Sequence, residues 1–175
     1  MRKETDVLLV IDVQNDYFPG GAFPLHGTEA ALQATLQAMA AAQRAGVPVV
    51  LVQHVADASK GVAPFFNAGT PGVEIHPQVR AAAPDALVVV KRRADSFRGT
   101  TLASTLQALG VDAIVLAGMM THNCVTHTAL SKAAERYHVS VLPAASATVS
   151  PMLQAIALSA LGDRVPLVDV AQALG

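Results

Sequence analysis

A single cysteine, Cys124, stands among 175 residues, so an internal disulfide is excluded, and a reducing compartment is the natural fit. Charge is scarce too: 14% of the residues carry it, and the formal net charge is −1. Without a surplus of either sign there is no broad basic face for nucleic acid or an anionic lipid surface. The one basic cluster, Lys91-Arg92-Arg93, is countered almost at once by Asp95. Long apolar runs are missing as well. The first, Val7 to Val13, has seven residues with Asp12 inside it, far too few to cross a bilayer. No small-residue cleavage site follows Met1-Arg2-Lys3-Glu4-Thr5-Asp6. A soluble, cytoplasmic protein is expected, with neither a membrane nor a nucleic-acid partner. No Gly-x-Gly-x-x-Gly follows the first apolar run and no Gly-Lys-Ser/Thr loop exists, which disfavours nucleotide binding. There is no internal repeat or low-complexity linker, so residues 1–175 are expected to form one domain.

What is present is apolar and periodic. Hydrophobic residues make up 52% of the chain, enough for a full core at this length. Val7 to Ile11 is a continuous branched run of the kind buried on both faces of a parallel sheet. After turn residues, Leu32, Leu36 and Met39 repeat at helical spacing, from Thr28 to a stop at Gly46. Further strands are expected at Pro48 to Val55, Leu87 to Lys91, Ala113 to Ala117, His138 to Leu142 and Val165 to Val168. Helices are expected at Leu102 to Leu109, from Thr121 or His122 to about Tyr137, and around Leu153 to Leu161. Six strands alternating with helices imply parallel pairing through right-handed crossovers, hence a Rossmann-like three-layer α/β/α sandwich. The irregular stretch from Ala56 to Asp85 is long enough to be a lid or specificity loop.

Three residues with chemical potential fall at or just past the carboxyl ends of expected strands: Asp12, Lys91 and Cys124. Ligands of open α/β sheets bind on that edge. A thiol at a helix N-terminus, beside an ammonium, is expected to lean toward thiolate, and a carboxylate can carry its proton to a leaving group. The plainer reading makes Cys124 buried apolar filling and Lys91 a solvated strand end. An acid closing a buried strand is costly unless paired, which favours a site.

Four stretches then carry a resemblance over about Val7 to Leu174. They are Leu9-Val10-Ile11-Asp12-Val13-Gln14-Asn15-Asp16-Tyr17-Phe18, Gly69-Thr70-Pro71-Gly72-Val73-Glu74-Ile75-His76-Pro77, Val90-Lys91-Arg92-Arg93-Ala94-Asp95-Ser96-Phe97 and Gly118-Met119-Met120-Thr121-His122-Asn123-Cys124-Val125. In this order the chain resembles the isochorismatase-like cysteine hydrolases. The resemblance implies the sheet order 3-2-1-4-5-6, a catalytic triad of Asp12, Lys91 and Cys124, and a cis peptide between Met119 and Met120. It also implies an oxyanion hole from the Met120 and Cys124 amides. The implied activity is hydrolysis of a small-molecule amide, lactam or related C–N bond through a thioester.

Within the family, metal-dependent nicotinamidases carry Asp-x-His after strand two, whereas this chain reads Gln53-His54-Val55-Ala56-Asp57. No metal and no cofactor are therefore expected, and the chain looks most like the metal-independent members that include streptothricin hydrolase. A nicotinamidase-type, metal-assisted amidase and a non-catalytic binding module are the alternatives. Phe18, Phe23, His54, Phe65 and Phe66 are the candidates to line the substrate pocket; each suits core or lid packing as well. Asn15 and Asp16 suit turn capping. Relatives commonly place an acid where this chain has Ala144, in Pro143-Ala144-Ala145-Ser146-Ala147-Thr148, and the Val149 to Met152 segment is short. Both bear on the homo-oligomer, dimer or higher, that the resemblance implies.

Overall fold

The computed structural model describes residues 6–175; the N-terminal segment read above as leaderless lies, up to Thr5, outside them. Five parallel strands form one sheet in the order β3-β2-β1-β4-β5. They are β1 Asp6–Ile11, β2 Val49–His54, β3 Leu87–Lys91, β4 Ala113–Met119 and β5 His138–Ala147. β1 and β4 are central and almost wholly buried, as their unbroken apolar runs require. Alternate residues of β1 serve opposite cores. Leu8 and Val10 join the layer of α1 (Thr28–Ala45), while Val7, Leu9 and Ile11 join Leu102, Leu106 and Leu161 on the other face.

The helices end where their sequence says they should. Gly46, at φ 70, lies in the left-handed region that lets Val47 N–H return to Ala42 O at 2.8 Å and close α1. Gly110 closes α3 (Leu102–Leu109) in the same way. The long connection after β2 contains two 3-10 turns (Ala58–Lys60 and Pro71–Val73) and one short α-helix, α2 (Pro77–Ala82), with Pro77 in its first turn. α5 (Pro151–Gly162) starts on a Ser150 cap, and α6 (Val170–Leu174) on a capping box from Asp169 and Gln172.

Two expectations need correction. The sixth strand is reduced to a single parallel bridge between Leu167 and Val141. Val141 donates to Pro166 O and accepts from Val168 N–H, and the next β5 residue facing that edge is Pro143, which has no N–H to extend the ladder. The helix expected from Thr121 or His122 to about Tyr137 is also broken. A π turn (Thr121–Val125) leads into one turn of α-helix, α4 (Thr126–Ala129), and then a 3-10 segment (Lys132–Arg136). Among the described residues, no helix is long and apolar enough to cross a membrane. Ala144 is exposed on β5 beside a register shift against β4.

Candidate active site

Sheet order explains the meeting of residues far apart in sequence. The carboxyl ends of β3, β2, β1 and β4 are successive neighbours, and they present Lys91, His54, Asp12 and Cys124. Lys91 lies opposite His54 in the β2–β3 register. Asp12 follows β1 at φ 52, a left-handed conformation costing a non-glycine residue on the order of 1–3 kcal/mol. Its N–H is held by Val52 O at 3.0 Å and its carbonyl by Gln14 N–H at 2.9 Å. Across the β1–β4 pair, Gly118 approaches so closely that a Cβ there would lie 2.0 Å from Ile11 O. Only a glycine lets the two strand ends come together beside Asp12. The Met119–Met120 peptide is cis, and Cys124 sits in the π turn that follows.

Lys91 is the hub. Its ammonium lies 2.8 Å from Asp12 Oδ2, donates to Cys124 Sγ at 3.1 Å and to Arg93 O at 3.0 Å, and stands 3.2 Å from His54 Nδ1. Asp12, Lys91 and Cys124 are all at most 1% exposed. Burial works against the Asp12 carboxylate, but Lys91 and His54 outweigh it and hold its pKa below the usual range. Burial opposes the Lys91 ammonium as well; its partners, Asp12 first and Cys124 after it, outweigh that and raise its pKa. For Cys124, burial and then the Asp12 charge push the thiol upward, and Lys91 compensates only in part. At neutral pH the group is therefore carboxylate, ammonium and neutral thiol. The expected lean toward thiolate is overturned: there is no long helix to supply a dipole, and the one nearby cation already serves Asp12.

Asp12, His54 and Cys124 are the only trio of acidic, histidine or cysteine donors among the described residues whose ligand atoms all lie within 4.8 Å of one another. Lys91 Nζ already stands against all three, where a cation shared by them would stand. The trio does not fit a metal while that lysine is charged.

The aromatic candidates divide. Phe66, buried and at φ 61, packs on Tyr17 with ring centroids 4.6 Å apart and on His54 at 5.8 Å. Phe65 bridges Phe66, Tyr17 and Phe23. Phe66 reaches the site through His54, and it belongs with Tyr17 to the core cluster on the α1 side, whereas Cys124 belongs to the other. Phe18 turns elsewhere: it packs on His76 at 4.5 Å and lines an outer cleft of about 660 Å³ with Asn15, Gly72 and Pro77.

Three residues that sequence reasoning left in the turn after β1 prove to hold the site. Gln14, fully buried, accepts from His54 N–H at 2.8 Å and donates to His54 O and Val73 O. Asp16 accepts from Phe66 N–H at 2.6 Å and Ala22 N–H at 3.0 Å, tying the segment of Phe66 to the body. Tyr17 is buried against Phe65 and Phe66, and burial first, then the Asp12 charge, raises its phenol pKa. Nothing in local spacing marks them, because their partners lie up to 59 positions away.

Comparison with known proteins bears on this arrangement. The family model described as the isochorismatase domain matches residues 6–172. YddQ of Bacillus subtilis, an isochorismatase family protein, is 39% identical over 150 residues, covering 86% of this chain and 82% of its own. A streptothricin hydrolase of Streptomyces noursei is 32% identical over 180 residues, covering 95% of this chain and 63% of the relative. The crystal structure of an isochorismatase family protein from Desulfovibrio vulgaris superposes with a TM-score of 0.85 at 27% identity, covering 97% of this chain and 96% of the other.

Proposed function

The chain belongs to the isochorismatase family, and from that premise we propose that it is a cysteine-dependent hydrolase of a small-molecule amide, lactam or related C–N bond. The observation that carries this is the Lys91 ammonium bonded at once to the Asp12 carboxylate and to Cys124 Sγ, on the sheet edge where α/β proteins bind ligands. In the proposed cycle Cys124 attacks the substrate carbonyl as its thiol proton passes to Asp12, whose carboxylate lies within 4.8 Å of the sulfur. Because the resting thiol is neutral, this transfer accompanies attack and does not precede it. The oxyanion is received by the backbone N–H groups of Met120 and Cys124. Asp12 returns the proton to the leaving amine, and the C–N bond breaks to give a thioester. Water then attacks, giving a proton to Asp12; the C–S bond breaks, the acid departs, and the sulfur recovers that proton. Lys91 stays charged throughout and balances whichever anion faces it. The small substrate is the only partner this cycle needs, and no step passes through a metal.

A panel of small carboxamides and lactams, nicotinamide included, tests the proposal by amine or ammonia release with and without a chelator. Turnover that ignores the chelator and falls roughly a thousandfold or more in folded Cys124→Ala supports it. Turnover lost to the chelator points to the nicotinamidase-type alternative, and turnover kept in Cys124→Ala contradicts the proposal.

A further inference from the structure

The Lys91 ammonium has three N–H groups and nothing with which to accept. Its protons have three partners: Arg93 O at 3.0 Å, Cys124 Sγ at 3.1 Å and His54 Nδ1 at 3.2 Å. Asp12 Oδ2, 2.8 Å away, is paired by charge, and neither Asp12 oxygen has a hydrogen-bond partner among the described residues. The contact with His54 fixes the tautomer of that ring. Facing a group that can only donate, Nδ1 is the acceptor, so the ring proton sits on Nε2. The opposite assignment would set Nδ1–H against an N–H of Lys91. The acceptor it would then need, Asp12 Oδ2, is 3.7 Å from Nδ1, beyond hydrogen-bond reach.

The Nε2–H group has no acceptor among the described residues, and it is not sealed in. The His54 side chain is 21% exposed, against 0% for those of Asp12 and Lys91. Since Nδ1 faces the buried ion pair, that exposure falls on the far edge of the ring, with Nε2. The residue is also held still. Gln14 accepts from His54 N–H and donates to His54 O, both at 2.8 Å, and the ring packs on Phe66. A nitrogen of this ring lies within 4.8 Å of the Cys124 sulfur.

We propose that His54 Nε2–H is a specificity-determining donor, and that the amides this site takes carry a hydrogen-bond acceptor, an ether oxygen or a ring nitrogen, a few bonds from the scissile carbonyl. This rests on the hydrolase reading of the same site. An amide with hydrocarbon at that point leaves the donor unpaired once water is displaced, and is disfavoured. No proton changes owner: His54 keeps Nε2–H throughout, as a binding group and not a base.

Two matched pairs of amides test this, methoxyacetamide against butanamide and nicotinamide against benzamide; in each, the first has an acceptor where the second has carbon. The full chain carrying Cys124→Ser, which forms no thioester, is titrated with all four, and ligand-observed NMR gives the dissociation constants. The acceptor member of at least one pair binds about tenfold tighter than its partner, and adding His54→Phe reduces that preference to about twofold or less. Melting curves check folding, and His54→Leu repeats the arm if phenylalanine crowds Phe66. In the unaltered chain at about pH 8, above the ordinary histidine range, nitrogen-15 NMR finds the His54 proton on Nε2. A proton on Nδ1 overturns the proposal. So do equal or absent binding within both pairs and a preference that survives His54→Phe. Failure of the hydrolase reading is seen separately, as turnover retained in Cys124→Ala.

Discussion

At the scale of single residues, the site stores its reactivity as a buried ion pair beside an un-ionised thiol. Asp12 and Lys91 balance each other's charge, and Cys124 accepts a hydrogen bond from Lys91 without being charged by it. This has a consequence for stability. Folded Cys124 gives up its proton at a higher pH than it does in the unfolded chain, where a thiol titrates near about 8.5. Above that pH the folded state holds more protons than the unfolded one, so stability falls as pH rises. Lys91 and Tyr17, both shifted upward, add to the loss only from about pH 10. Thermal melts between about pH 8.5 and 10 should therefore show a smaller decline for Cys124→Ser than for the unaltered protein. Equal declines would mean that the thiol is not held neutral by its surroundings. Asp12 and Lys91 drew notice in the sequence because each ends an apolar run, and Cys124 because it lies just past one. The thiol's protonation was not legible there, since it depends on how one ammonium is divided among its neighbours.

At the scale of elements, strand ends are what align the chemistry. β1 and β4 approach beside Asp12 because Gly118, at φ 127, offers no side chain to hold them apart. Gly118→Ala would place a methyl group against the Ile11 backbone in a conformation that L side chains rarely adopt. We expect this substitution to cost on the order of 2 kcal/mol or more in denaturant unfolding, and to lower turnover more than that loss of stability explains, because Asp12 moves with Ile11. A change of a few tenths of a kcal/mol would show that the close approach is dispensable. Strands β1 to β5 and the glycine-closed helices could be read from period and punctuation. The sixth strand could not, because Pro143 acts through the hydrogen-bonding parity of β5, which no local pattern reveals. The break after Cys124 was likewise hidden, since Thr121 to Tyr137 has enough apolar spacing to suggest one continuous helix.

At the scale of the whole molecule, the remaining question is access. Cys124 is 1% exposed, so a reagent reaches its sulfur only if part of its cover opens, and the segment that carries Phe65 and Phe66 is the candidate lid. The lid segment is closed on itself by Asn67, which exchanges two hydrogen bonds with Ala63, and is bound to the body through Phe66 by Asp16 and Ala56. Asp16 in turn needs Gly72, where a Cβ would meet its carboxylate. Removing the latch in Asp16→Ala should speed alkylation of Cys124 about tenfold or more at fixed pH, since one charge-assisted hydrogen bond is lost from the closed state. An unchanged rate would place the entry route elsewhere. That Ala56 to Asp85 is a long connection was legible in the sequence; its tie to the body was not, because Asp16 and Phe66 are 50 positions apart.

The most direct trial of the central claim is mass spectrometry of the intact protein, acid-quenched during turnover of an amide or activated-ester substrate found by the panel. A mass increase equal to the acyl group, mapped to Cys124 and absent in Cys124→Ala, is the predicted result. Turnover with no adduct on Cys124 under any quench, together with turnover undiminished in Cys124→Ala, would contradict it.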